Sequence, residues 1–134
     1  MSETRLVARA SAKLAAARYA VDIQTGHHAL TGDEPVSGGG GDTGPAPFGF
    51  VLAGLGACTA ITLRMYAERK DWKLTGLAVD LEYFRDGDAF RVERVLHVEG
   101  ELDEAQRGRL ADIAERTPVT LALKAGATIH TKLG

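Results

Sequence analysis

The feature that most constrains this chain is an uncharged run from Pro45 to Leu63. About 20 apolar residues are enough to span a bilayer, but glycines and hydroxyl side chains dilute this run (Gly49, Gly54, Gly56, Thr59 and Thr62). The residues from Phe48 onward leave no polar face, and charges return only at Arg64. The pattern therefore predicts a buried central helix that begins near Pro47, not a membrane span. A helix that is apolar on every side must have other protein segments packed against every side.

The segments before this helix predict short strands and a loop. Strands are expected at Arg5–Ser11 and Tyr19–Ile23, with Ala29–Leu30 as a weaker third. The glycine-rich stretch that ends in Gly38–Gly44 predicts a flexible linker or a lid near a site. Four consecutive glycines also suggest a phosphate cradle, but no Lys-Ser or Lys-Thr pair follows them, as a P-loop requires.

The segments after the helix carry clearer signals. Alternating apolar residues on both sides of Asp86-Gly87 predict a β-hairpin (Leu77, Val79, Leu81 and Tyr83, then Phe90, Val92, Leu96 and Val98). Asp103 and Gln106 have the spacing of a capping box, which predicts a helix from about Glu104 to Arg116. Thr117-Pro118 predicts the start of a short helix that ends near Gly126. A last strand is expected from Thr128 to Leu133.

This order of elements indicates the fold class and the assembly. An α+β fold is predicted, because the order is strands, a long apolar helix, a hairpin, two helices and a strand. The chain, residues 1–134, is expected to form a single domain. One chain of this size has little material to surround an apolar helix, so we expect a homodimer in which two central helices pack near each other.

The charge and the cysteine count limit the partners and the compartment. The chain has 16 Lys and Arg against 18 Asp and Glu, a net charge of −2, and no basic stripe, which argues against nucleic acid. Its single cysteine excludes an intramolecular disulfide, and the N-terminus lacks the pattern of a secretory signal, so we expect a cytoplasmic protein. The four histidines lack the spacing of metal ligands, and no metal or cofactor is expected.

That cysteine, Cys58, lies inside the uncharged run and is expected to be buried. A free cysteine is often a small hydrophobic residue of the core. It can also be a nucleophile, but this requires access and a thiolate. Because Cys58 is about three turns from the helix start, the helix dipole has largely faded there. A nearby cation would have to stabilise the thiolate, and Arg64 and Arg116 are weak candidates.

Most of the chain resembles the OsmC/Ohr family of thiol-dependent peroxidases. The resemblance extends from Thr31 to Trp72 and from Glu99 to Gly126, and its most specific part is the sequence LGACTAITLRMYAERK. It places Cys58 at the position of the peroxidatic cysteine of the family. It implies an intertwined homodimer with antiparallel sheets around the long central helix, sites at the subunit interface, and reduction of organic hydroperoxides.

The chain departs from the family pattern at three places. Thr117 stands where the family commonly has its resolving cysteine, so a redox role is lost there while a hydroxyl N-cap is kept. Gly49 stands where a carboxylate is expected, and the stretch from Thr31 to Gly44 lacks the arginine that peroxidase members carry. Of the peroxidase residues, only Cys58 is present.

Two functions therefore remain open at this point. The first is oxidative-stress defence, with a one-cysteine reduction of organic hydroperoxides that is impaired or depends on an external thiol. The second is a non-catalytic homodimer that binds a small hydrophobic ligand at the subunit interface. Retention of Cys58 favours the first, and the changes at Thr117 and Gly49 favour the second.

Overall fold

The computed structural model describes residues 3–134, which form two compact units, residues 3–51 and residues 52–134. The prediction of a single domain stays a prediction. The elements in chain order are β1 (Ala10–Leu14), β2 (Val21–Thr25), β3 (His28–Gly32), a 3₁₀ turn (Val36–Gly38), α1 (Pro47–Arg69), β4 (Lys73–Asp86), β5 (Ala89–Glu101), α2 (Glu104–Ala114) and α3 (Pro118–Ala125). The α+β class is confirmed, and so is the arrangement of antiparallel sheets with a long central helix.

The first unit contains an antiparallel sheet of β1, β2 and β3, in that order. The predicted strand at Arg5–Ser11 is wrong in position, since β1 begins at Ala10. Leu6 and Val7, two apolar residues of the predicted strand, are 67% and 84% exposed. A strand needs a hydrogen-bonded neighbour. The last residue of β2, Thr25, pairs with Ala10, so the residues before Ala10 have no paired residue in β2.

The glycine-rich loop of the first unit is held closed by Asp33. Its buried carboxylate accepts hydrogen bonds from the backbone N–H of Glu34, at 2.7 Å, and from the N–H and hydroxyl of Thr43, at 3.2 and 2.7 Å. The Thr43 hydroxyl bond is the main reason why the pKa of Asp33 is lowered. A Cβ at Gly40 would overlap the carbonyl of Glu34, so this close approach requires glycine. The loop that the sequence predicts as a flexible linker or a lid is thus cross-linked to Asp33 by hydrogen bonds.

Helix α1 begins at Pro47, as predicted, and continues to Arg69. It ends where Asp71 takes a left-handed conformation, with φ of 55°, and Trp72 N–H bonds back to the carbonyl of Ala67 at 2.9 Å. Only one stripe of the helix is buried within the chain (Leu55, Thr59, Leu63 and Ala67). By length and composition the helix could also cross a bilayer, a property that it shares with core helices. The expectation of burial on all sides is not met within one chain.

The second unit contains the hairpin of β4 and β5, which are longer than the sequence suggested. Gly87, with φ of 62°, forms part of the turn that Asp86-Gly87 predicted. The inward residues of the hairpin alternate with exposed ones and pack with α2 around Leu63 and Leu110, which are fully buried. These contacts form the core of the second unit.

Two predicted helices are confirmed together with their caps. The carboxylate of Asp103 accepts from Gln106 N–H at 2.8 Å, and the Gln106 side chain accepts from Asp103 N–H at 2.9 Å. This reciprocal pair starts α2. Thr117 caps α3, and Pro118 occupies its first turn.

The predicted strand at the C-terminus is absent from the described chain. Residues 126–134 have no regular secondary structure, and every side chain there is exposed. Ile129 is 84% and Leu133 100% exposed. Among residues 3–134 this segment has no hydrogen-bonded neighbour, and a strand cannot form without one.

Candidate functional site around Cys58

Cys58 lies at the border between the buried stripe and the exposed face of α1. At about 100° per residue, it is roughly 60° around the helix from Leu55, which is 4% exposed. On its other side lie exposed small and apolar residues (Gly54, Ala57, Ile61 and Met65), which we call the apolar face of α1. Ile61 is 55% and Met65 51% exposed.

The thiol is half-buried, so the expectation of a buried cysteine is wrong within one chain. It lies at the edge of the buried stripe because that stripe is narrow, with one fully covered residue in each turn. The Sγ atom is 3.9 Å from the hydroxyl of Thr62, one turn further along α1. The thiol therefore has one weak contact with a hydroxyl and lies beside the apolar face.

The two arginines that the sequence suggested as thiolate partners lie near other side chains. Arg64 is exposed and forms an ion pair with Glu68 at 3.6 Å, one turn along the same helix. Arg116 lies near Tyr66, whose pKa is lowered mainly by a hydrogen bond from Arg109, with a smaller contribution from the charge of Arg116. Among residues 3–134, neither arginine makes a hydrogen bond or ion pair with Cys58.

Gly49 lies in the first turn of α1 and is exposed. A Cβ placed there would meet only the Cβ of Pro45, at 3.6 Å, which is an ordinary contact. Crowding within the chain therefore does not explain why the carboxylate expected at this position is missing.

Thr117 is fully buried, and its hydroxyl has a structural role. It accepts from Thr120 N–H at 3.3 Å, which caps α3, and lies 2.6 Å from the Thr120 hydroxyl. The predicted N-cap is thus confirmed, and the side chain is part of a network of buried polar groups.

Arg94 is the centre of that network, and the sequence analysis did not single it out. Its side chain is 11% exposed. Nη1 donates to the hydroxyls of Thr59, at 3.0 Å, and Thr120, at 2.9 Å. Nη2 donates to the carbonyl of Ala114 at 2.8 Å and to the carboxylate of Glu115 at 3.3 Å. One guanidinium thus joins β5 to all three helices of the second unit.

A signal for Arg94 was present in the sequence. Arg94 is one of the inward-facing residues of β5, which alternate with exposed ones; the others include Val92, Leu96 and Val98. A charged residue at an inward position is rare unless it is paired, so it indicates a buried polar partner. Which residues are those partners depends on the packing of the helices.

Metal ligands are not gathered anywhere in residues 3–134. No group of three or more His, Cys, Asp and Glu side chains lies close enough to hold an ion. His97 contacts Asp80 at 2.8 Å on the exposed side of the hairpin, and the rings of His27 and His28 lie 4.1 Å apart with a tilt of 36°.

The model of the OsmC-like protein family matches residues 39–132, which include Gly49, Cys58 and Thr117. The chain belongs to the OsmC-like protein family. The resemblance carried by LGACTAITLRMYAERK is thereby confirmed. None of the curated proteins matches the chain.

Solved structures show the same fold at low sequence identity. An OsmC-like protein from Mycoplasma pneumoniae has a TM-score of 0.78 and 18% identity, over 90% of this chain and 89% of that one. An organic hydroperoxide resistance protein OsmC from Legionella pneumophila has a TM-score of 0.67 and 20% identity, over 91% and 92%. The organic hydroperoxide resistance protein OhrB of Bacillus subtilis has a TM-score of 0.61 and 21% identity, over 89% and 91%.

Proposed function

We propose that this OsmC-like protein reduces organic hydroperoxides at Cys58 and depends on an external thiol for turnover. The observation that carries the proposal is the position of Cys58, half-buried on α1 beside an apolar face. Membership of a family with organic hydroperoxide resistance proteins supports it. An apolar surface beside the thiol suits the hydrocarbon part of such a peroxide.

The chemistry requires only one protein thiol if a second thiol is supplied. The thiolate of Cys58 attacks the terminal peroxide oxygen, the O–O bond breaks, and the alkoxide leaves as an alcohol after protonation. Cys58 is then a sulfenic acid. One external thiol converts it to a mixed disulfide and releases water. A second external thiol attacks that disulfide and restores Cys58, leaving an external disulfide.

The residue at position 117 supports the need for an external thiol. Thr117 carries a hydroxyl that is buried in hydrogen bonds, so it supplies no sulfur. The chain has no cysteine other than Cys58. A supply of reduced thiols is typical of the cytoplasm, so the proposal includes that location.

The proposal also includes a homodimer that covers the apolar face of α1. Ile61 and Met65 are more than half exposed, beside the half-buried thiol. Exposed apolar patches of this kind mark interaction sites. A second copy over this face would shield Cys58 from water and complete an apolar pocket.

Trapping of the sulfenic acid tests the reaction. The full chain is treated with one equivalent of cumene hydroperoxide and dimedone, and the adduct is located by mass spectrometry. We expect the adduct on Cys58, and turnover with a dithiol or a monothiol. Cys58→Ser, which replaces sulfur by oxygen at nearly the same volume, is the control and should show neither adduct nor turnover. If the unmodified chain forms no adduct and its thiol is alkylated slowly at neutral pH, the reaction is refuted and ligand binding without catalysis is favoured.

The dimer is tested by charges placed on the apolar face. Ile61→Asp or Met65→Asp should shift the mass measured by light scattering from that of two chains to that of one, because a buried, unpaired carboxylate opposes association. Ala111→Asp, an exposed position on α2, is the matched control and should remain dimeric. A wild-type chain of monomeric mass at micromolar concentration would contradict this part of the proposal.

A further inference from the structure

The second unit contains a cavity of about 570 Å³ that does not include Cys58. Its apolar walls come from Leu55 of α1, Leu123 of α3, and the side chains of Tyr83 and Phe90 at the end of the hairpin. The two rings meet edge to face, with centroids 5.8 Å apart. The volume and the apolar walls are those of a site for a small molecule.

Two cations, Arg94 and Lys124, lie side by side in this cavity. The end of α2 holds both through its backbone: the carbonyl of Ala114 accepts from Arg94 at 2.8 Å, and the carbonyl of Glu115 accepts from Lys124 at 3.3 Å. The negative end of the helix dipole favours cations at this place. Each cation therefore has a backbone partner in addition to the carboxylate of Glu115.

The carboxylate of Glu115 already occupies the space between these cations. Its Oε2 is 3.3 Å from Arg94 Nη2, and its Oε1 is 2.8 Å from Lys124 Nζ. The bond from Lys124 is the main reason why the pKa of Glu115 is lowered, and the charge of Arg94 contributes. The Glu115 side chain is 61% exposed, so it can turn out into water. The pair of cations is thus a carboxylate site that the protein fills with its own side chain.

We propose that this cavity binds a small amphipathic acid whose carboxylate replaces that of Glu115 between Arg94 and Lys124. The hydrocarbon part of the acid lies against the apolar walls. The remaining cation of the lining, Arg91, has two carboxylates of its own, Asp86 at 2.9 Å and Glu93 at 3.4 Å, whereas Arg94 and Lys124 share the single carboxylate of Glu115. The site lies within one chain and is independent of thiol chemistry at Cys58.

Octanoate, octan-1-ol and octylamine have the same chain and differ in the head group, so they separate recognition of the carboxylate from burial of the hydrocarbon. Isothermal titration of the full chain should give octanoate an affinity about tenfold above that of octan-1-ol, and octylamine should bind more weakly than either. Equal affinity for the acid and the alcohol would overturn the proposal, as would the absence of binding at millimolar octanoate.

Variants test the replacement of Glu115. Glu115→Gln removes the internal competitor and should raise the affinity for octanoate about fivefold, with octan-1-ol unchanged. Lys124→Met keeps the side-chain stem and should lower the affinity for octanoate by a similar factor. Glu93→Gln removes the same charge from the rim without freeing the two cations, so it is the matched control and should change binding less than about twofold. Equal effects of Glu115→Gln and Glu93→Gln, or no effect of Lys124→Met, would refute the replacement.

Discussion

Replacement of the hydroxyl at position 117 tests whether Thr117 is a structural residue in this chain. Thr117→Val exchanges the hydroxyl for a methyl group of nearly the same size, so the buried volume is preserved. The variant loses the cap that accepts from Thr120 N–H and the 2.6 Å contact with the Thr120 hydroxyl. The Thr120 hydroxyl keeps its bonds to Arg94 and to the carbonyl of Ala114. Only the Thr120 N–H is left without its partner.

The expected loss of stability follows from these two bonds. Loss of an N-cap costs about 1 kcal/mol, and loss of a buried hydrogen bond costs about 1 kcal/mol more. We therefore expect Thr117→Val to lower the free energy of unfolding by about 2 kcal/mol. Thr117→Ser keeps both bonds and loses one buried methyl group, at about 1 kcal/mol. The serine variant should be the more stable of the two.

Urea unfolding followed by the fluorescence of Trp72 measures this difference, because Trp72 packs against the core of the same unit. With a slope of about 2 kcal/mol per M, the midpoint should fall by about 1 M for Thr117→Val and by about half of that for Thr117→Ser. If the valine variant matches the wild type, or is more stable than the serine variant, the hydroxyl does not stabilise α3 and the structural interpretation of Thr117 is refuted.

Two further predictions concern the loop of the first unit. Because the pKa of Asp33 is lowered in the folded chain, its ionised form contributes stability that is present above the ordinary carboxyl pKa and is lost as the pH falls below about 4. The protection factor of Thr43 N–H, the factor by which folding slows its exchange relative to the intrinsic rate at the same pH, should therefore fall in acid in the wild type. Asp33→Asn should remove most of that dependence, and an unchanged dependence would contradict the role of Asp33. Gly44→Ala should destabilise the loop by about 1–3 kcal/mol, because its Cβ would overlap the carbonyl of Thr31. Gly41→Ala, with ordinary contacts of 3.4 Å or more, is the control, and equal melting temperatures of the two variants would refute the crowding argument.

Features that depend on a few neighbouring residues were predictable from the sequence. The capping box of Asp103 and Gln106, the Thr117 cap and the Asp86-Gly87 turn are all present in the structure. Each of them is set by side chains and backbone groups within a few positions along the chain. The uncharged run likewise predicted α1 and its first residue, because Pro47 and the return of charge at Arg64 are local signals.

Features that require a distant partner were predicted poorly. The strand expected at Arg5–Ser11 begins later, at Ala10, and the one expected at Thr128–Leu133 is absent from the residues that the structure describes. Alternation indicates which face of a strand is buried but supplies no hydrogen-bonded neighbour. The burial of α1 was also overestimated, because it depends on how much of the helix surface packs against the rest of the second unit. The result is a thiol at the edge of a buried stripe.

The sequence by itself determined the helices, the hairpin, their caps and the family, because periodicity, turn residues and motifs are local properties of the chain. It also placed the single thiol on α1. The tertiary structure decided that Thr117 is fully buried and that the hydrogen bonds of Arg94 join β5 to three helices. Those bonds connect residues that are 35, 26 and 20 positions apart. Contacts at such separations depend on how the helices pack, and no local pattern of residues specifies them.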